Sequence, residues 1–282
     1  MGRMPDDPGR GALGRTGLRA PGAPGRGSLV RRALLVALAG AGAGLLSGLF
    51  GVGGGLVIVP VLMSVLGMDQ RRASATSLVA IILTAAAGCV SYGLDGEVSL
   101  LAALVLAAGS LVGAQIGVRL LRALPDRILP WIFVAFALFV IIAQQMKVPV
   151  RDAALVLDPP RALGLIGVGL LSGILSGLVG VGGGGVIVPG LELVVGVGDL
   201  LARGTSLLVM IPTAISGTWT NARHGIVDIK AGLVVGAFAA LLTPLGRLVA
   251  RAISPGTGNI LFALFLLVMS ATMLMRARRR GN

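Results

Sequence analysis

Apolar residues gather into ten stretches along the chain. They lie at about 31–50, 56–67, 73–93, 98–121 and 128–146, then at about 162–179, 185–197, 202–222, 230–251 and 259–275. A helix needs roughly 20 residues to cross a hydrocarbon core of about 30 Å, and most of the stretches reach or approach that length. The second and seventh do not. Each is about a dozen residues, roughly 18 Å of helix, follows a run of glycines and holds one proline, Pro60 or Pro189. A proline inside a helix removes a backbone hydrogen bond and bends or breaks it. The pattern predicts an all-α polytopic membrane protein with about 8–10 transmembrane segments, two of them short broken helices. Counting the short segments as crossings gives ten; counting them as re-entrant gives eight.

The chain also repeats itself. Residues 45–60 read LLSGLFGVGGGLVIVP and residues 174–189 read ILSGLVGVGGGGVIVP, identical at 13 of 16 positions with an offset of 129. The same offset, without a gap, carries Ala73, Thr76, Ser77 and Leu78 onto Ala202, Thr205, Ser206 and Leu207. It carries Gly88, Gly96, Val98 and Gly117 onto Gly217, Gly225, Val227 and Gly246. Five segments per half, an odd number, predict two inverted repeats, an arrangement suited to alternating access. The expected organisation is a disordered basic tail (1–28), a first transmembrane repeat (29–147), a linker (148–161), a second repeat (162–275) and a basic C-terminal tail (276–282). Arg31-Arg32 ahead of ALLVALAGAGAG has the outline of a cleavable export signal, but the stretch belongs to the repeated body and is expected to remain as the first span.

Composition agrees with this picture and narrows the function. Charged residues make up 12% of the chain, half the roughly 25% of soluble domains, and hydrophobic residues 55%. The net charge of +13 matters through its placement: seven arginines against Asp6 and Asp7 in residues 1–32, and Arg276, Arg278, Arg279 and Arg280 at the other end. Basic ends around an apolar body fit the positive-inside rule, so both termini are expected in the cytoplasm, with the chain in the cell membrane. Arg71, Arg72, Arg119, Arg122, Arg127, Arg223, His224 and Lys230 then fall inside, and Asp95 and Glu97 outside. Arg247 and Arg251 fall outside, against the rule. Aromatic residues are only 4%, without a basic stripe, which argues against nucleic acid as a partner. One cysteine, Cys89, excludes an internal disulfide, and His224 as the single histidine argues against a Ser-His-Asp hydrolase or a multi-histidine metal enzyme. No cofactor is expected, and no GxxxxGK[ST] motif is present to power transport with ATP. A homo-oligomer stays open.

The candidate chemistry centres on the two glycine runs. Gly53, Gly54 and Gly55, and their counterparts Gly182, Gly183 and Gly184, can present successive backbone N–H groups at the start of a half-helix. Such a nest, helped by the helix dipole, binds a small anion without a formal cation. Irregular backbone at membrane depth is tolerated only where it is buried or lines a cavity. Scattered glycines such as Gly40, Gly42, Gly44, Gly109 and Gly113 are read as close-packing positions. Thr76-Ser77 and Thr205-Ser206 open the third segment of each half and either cap helices or hydrogen-bond substrate oxygens. Arg203, opposite Ser74 in the repeat, either grips an oxyanion or snorkels to headgroups. Asn221 is a candidate for the pathway wall and Trp219 for an interface anchor. Glu192, opposite Met63, is either a proton-coupling carboxylate or an interfacial glutamate.

The doubled L-S-G-L-x-G-V-G-G-G-x-V-I-V-P motif, followed in each half by A-x-x-T-S-L, resembles the sulfite exporter TauE/SafE family, also called toluene-sulfonate uptake permeases. The resemblance covers about residues 33–275 and includes Pro60 and Pro189 and both Thr-Ser pairs. It implies a membrane carrier for a small anion such as sulfite, a sulfonate or a related organic anion, and no enzyme. Glu192 and Arg203 match no family motif. Two alternatives share the sequence: a passive anion channel using the same nests, and an intramembrane lipid-modifying enzyme. Against the enzyme, the apolar segments hold no paired carboxylates and no metal-spaced motif.

Overall fold

The computed structural model describes residues 26–125, 128–145 and 157–279. The expected N-terminal tail and most of the expected linker lie outside the described residues. Ten α-helices run through them: α1 (Arg26–Phe50), α2 (Gly55–Val65), α3 (Gln70–Gly93), α4 (Leu100–Ala123), α5 (Leu129–Gln145), α6 (Pro159–Val179), α7 (Gly184–Val194), α8 (Asp199–Arg223), α9 (Ile229–Ala252) and α10 (Pro255–Arg279). The 129-residue offset carries α2 onto α7 and α4 onto α9 without a residue of slippage. It also pairs the helix caps. Ser99 accepts from the Ala102 N–H at the start of α4, and Asp228 accepts from the Ala231 N–H at the start of α9. Such caps satisfy N–H groups that have no helical partner. Asp69 caps α3 and Asp158 caps α6 in the same way.

Six helices, α3, α4, α6, α8, α9 and α10, are long and apolar enough to cross a membrane. The apolar part of α1, Leu34–Phe50, is shorter, as are α2 and α7 at 11 residues each. The large apolar side chains left exposed, among them Leu163, Leu241 and Ile260, have no protein partner to cover them and suit lipid. Trp219 is one of them, with the Arg223 guanidinium 4.7 Å from its ring centroid, a pairing that suits the headgroup level.

The halves interlock rather than sit side by side. Helix α1 of the first half packs along α9 of the second, and α6 of the second along α4 of the first. Glycine makes both contacts possible. A Cβ on Gly40, Gly44 or Gly48 would collide with the α9 backbone at Val235, Ala239 or Thr243. A Cβ on Gly169, Gly173 or Gly177 would collide with α4 at Leu106, Ser110 or Ala114. Small residues every fourth position are how membrane helices approach backbone to backbone. In both pairs residue number rises in step along the contact, so the paired helices run parallel. Helices α3 and α8 run the other way. Leu207 lies against Gly88 and Leu78 against Gly217, an antiparallel register. Arg247 and Arg251, the two arginines that break the orientation pattern, both pair with Asp95.

Candidate functional site

Each of the two short helices is entered through a tight glycine loop. Gly51, Gly53 and Gly54 have φ of 69°, 71° and 75°, and Gly180, Gly182 and Gly183 have φ of 74°, 89° and 78°. Side chains rarely adopt that left-handed conformation, so only glycine fits the loops without strain. Both loops are fully buried, and they touch each other. A Cβ on Gly55 would strike the Gly180 carbonyl and Val181, and one on Gly184 would strike the Gly51 carbonyl and Val52. Gly53 and Gly182 converge on the same two side chains, Ile81 and Met210, which are repeat counterparts near the middles of α3 and α8. The loops therefore cross halfway along the two central helices.

Hydroxyls hold the crossing together. Ser77 Oγ donates to the Gly180 carbonyl at 2.6 Å, and its counterpart Ser206 donates to the Gly51 carbonyl at 3.0 Å. Each serine reaches into the loop of the other half. Thr84 donates to the Gly53 carbonyl at 2.9 Å and Ser172 to the Gly183 carbonyl at 3.0 Å. Thr76 and Thr205 are spent differently. Thr76 Oγ1 accepts from the Asp228 N–H at 3.0 Å and Thr205 Oγ1 accepts from the Ser99 N–H at 2.9 Å, each fixing the start of a helix in the opposite half. Four loop carbonyls are thus satisfied. The N–H groups are not: among the described residues none accepts from those of residues 52–56 or 181–185. Buried backbone donors rarely go unpaired. The crossing therefore holds more unpaired N–H donors than unpaired carbonyls among the described residues. Pro60 and Pro189 lie six residues into α2 and α7, where each lacks the N–H that would bond back one turn.

The other candidate residues flank the crossing or lie beyond it. Arg203 is 3% exposed and ion-paired to the fully buried Asp199 at 3.2 Å, and it donates to the Leu49 carbonyl at 2.6 Å. Its backbone packs on Gly51. Tyr92 donates to the Gly48 carbonyl at 2.8 Å beside them. Together these groups fasten the C-terminal end of α1, where helix carbonyls are unpaired and favour a cation. Glu192, on α7, is 6% exposed and feels the charges of both Arg203 and Asp199. Asn221, at the end of α8, is fully buried, and neither side-chain polar atom has a hydrogen-bond partner among the described residues. Ile81, Met210, Tyr92, Asp199 and Ser172 escaped the sequence reading. The 129-residue offset could have flagged the first two, since it sets Ile81 against Met210.

Comparison with known proteins completes the picture. The family model for the sulfite exporter TauE/SafE matches residues 11–143 and 165–282. A probable membrane transporter protein of Haemophilus influenzae is 29% identical over 267 residues, which is 86% of this chain and 98% of that protein. One of Xylella fastidiosa is 27% identical over 262 residues, covering 87% and 97%. The Bacillus subtilis probable membrane transporter YunE is 32% identical over 123 residues, covering 41% of this chain and 45% of that protein. With ten helices in two interlocked halves and the family match spanning both, the chain belongs to the sulfite exporter TauE/SafE family of multi-pass membrane transporters.

Proposed function

We propose that the protein is a secondary carrier that moves a small oxyanion, sulfite, a sulfonate or a related organic anion, across the cell membrane by alternating access at the crossed glycine loops. The observation that carries this reading is the imbalance of the crossing: its carbonyls are taken by Ser77, Ser206, Thr84 and Ser172, while the N–H groups of residues 52–56 and 181–185 have no partner among the described residues. An oxyanion with three or more oxygens offers the acceptors those donors lack. Ile81 and Met210 fill the space against Gly53 and Gly182, so a ligand enters by moving the flexible Met210 thioether. That filled crossing favours a carrier over an open channel.

The parallel packing of α1 on α9 and of α6 on α4, with α3 antiparallel to its counterpart α8, supports an inverted repeat. In that arrangement ten segments place both termini on the cytoplasmic side. A cavity of about 460 Å³ near the start of α3, lined in part by Arg72, Lys230 and Asp228, opens toward that side with two cations to one carboxylate, a balance that draws anions. Glu192 couples transport to protons: taking up a proton removes its share of the attraction on Arg203 and leaves Asp199 as the remaining partner.

The test is flux of sulfite or a sulfonate into proteoliposomes. Wild-type protein gives saturable uptake, and the pair Gly54→Leu with Gly183→Leu removes it. Wild-type flux in that double variant overturns the site. A variant that elutes as aggregate is replaced by Ser77→Ala with Ser206→Ala, which leaves the loop glycines in place and frees the Gly180 and Gly51 carbonyls; uptake then falls at least tenfold, and wild-type flux again overturns the site.

A further inference from the structure

The two halves treat the C-terminal ends of their first helices differently. At the end of α1, Arg203 donates to the Leu49 carbonyl, Tyr92 donates to the Gly48 carbonyl, and Asp199 neutralises the guanidinium. At the end of α6 the equivalent carbonyls are those of Gly177 and Leu178, and no donor reaches them among the described residues. The repeat puts Ser74 in place of Arg203, Gln70 in place of Asp199 and Asn221 in place of Tyr92. Gln70 is 3% exposed, and Ser74 and Asn221 are fully buried. The side-chain nitrogen and oxygen of Gln70 and of Asn221, and the Ser74 hydroxyl, have no hydrogen-bond partner among the described residues.

These groups are brought together by the same register that assembles the arginine side. Tyr92 packs against Gly204, Gly88 against Leu207 and Leu78 against Gly217, and continuing that antiparallel run sets Ser74 opposite Asn221. Gln70 stands one turn before Ser74 on the same face of α3. Ser74 lies against Gly180 as Arg203 lies against Gly51. Three pairs of equivalent contacts show that surroundings transfer between the halves: Ser77 to Gly180 and Ser206 to Gly51, Thr76 to Asp228 and Thr205 to Ser99, and Gly55 against Gly180 and Gly184 against Gly51.

We propose that Gln70, Ser74, Asn221 and the carbonyl end of α6 form a binding site for a monovalent alkali cation, Na⁺, at the place where the second half carries its tethered cation, Arg203. The site deepens the carrier reading by naming a coupling ion. Its chemistry follows from the substitutions. Two carboxamide oxygens, one hydroxyl and two helix-end carbonyls supply oxygen ligands to a hard cation, and the negative end of the α6 dipole, which terminates at a buried loop, favours a cation there. The set contains no carboxylate, since Asp199 becomes Gln70 and Glu192 becomes Met63, so a divalent ion would be left without charge compensation. The nearby arginines are directed elsewhere: Arg71 donates to the Leu124 carbonyl and Arg72 to Asp228. Proton exchange at Glu192 and Na⁺ binding belong to opposite halves and are read separately.

The test needs no transported anion. Purified full-length protein in nanodiscs is melted in NaCl, sodium gluconate, KCl and N-methylglucamine chloride at one ionic strength. Na⁺ in tenfold excess over its Kd raises Tm by about 3–5 °C, whichever anion accompanies it. Asn221→Leu moves the half-saturating Na⁺ concentration upward at least tenfold. Ser74→Arg with Gln70→Asp, which copies the other half, removes the Na⁺ response. Equal Tm in Na⁺ and N-methylglucamine, a shift that follows the anion, or an unchanged Na⁺ response in Asn221→Leu overturns the proposal. Should the double variant fail to fold, the Asn221→Leu titration decides alone. Na⁺ binding in a protein that moves no oxyanion contradicts the transport reading and leaves the cation site standing.

Discussion

At the scale of single residues, comparing a buried polar side chain with its counterpart in the other half shows what its contacts are for. Arg203 and Asp199 are both almost fully buried, so removing one leaves the other as an uncompensated charge, which costs about 3–5 kcal/mol. Arg203→Ala is expected to lower Tm by on the order of 10 °C. Arg203→Ser with Asp199→Gln, which copies the first half, recovers most of that loss in the same melt. Glu192→Gln is expected to leave the fold intact and to make uptake insensitive to an imposed pH gradient, read as the ratio of initial rates with and without the gradient. Little of this was legible beforehand. Arg203 stood out as a charge in an apolar stretch, but two roles fitted it; the i,i+4 spacing from Asp199 permits the ion pair, whereas its burial is not written in the spacing. Ser77 and Ser206 were visible as a repeated pair, yet their bonds to the carbonyls of the opposite loops belong to the crossing of the halves, not to either half alone.

At the scale of elements, the glycines divide into two kinds. Those on the α1 face against α9 set the separation of two helix backbones. Gly44→Val drives a side chain into the Ala239 backbone, and separating the helices costs about 3 kcal/mol or more. Gly42, two residues away, meets nothing within 4 Å, so Gly42→Ala is neutral or stabilising by up to about 1 kcal/mol. The pair of melting curves separates contact from composition. The helices themselves were readable, because a hydrophobic run of membrane length has few other outcomes and a duplicated run fixes its own boundaries. The short helices were marked by length, glycine and proline together. Which helix packs on which was not readable: α1 chooses α9 over its sequence neighbour α3 because the glycine faces fit, and faces become partners only in three dimensions.

At the scale of the whole molecule, the proposed inversion of the two halves makes a geometric prediction. Leu94 and His224 lie near the ends of α3 and α8, helices that are repeat counterparts and antiparallel. In a Cys89→Ser background, Leu94→Cys is expected to react with an impermeant thiol reagent from outside the cell and His224→Cys only after the inner face is opened. Reaction of both from one side contradicts the inversion. Arg247 and Arg251, which break the expected charge pattern, share the one carboxylate of Asp95, so part of their positive charge is offset inside the protein. The central claim is that the crossed loops work as a carrier, and the most direct measurement is exchange. Proteoliposomes preloaded with unlabelled sulfite or sulfonate should take up the labelled anion faster than empty ones, and the rate should saturate. Uptake that ignores internal anion and rises linearly with concentration, or no uptake of any oxyanion, contradicts the account.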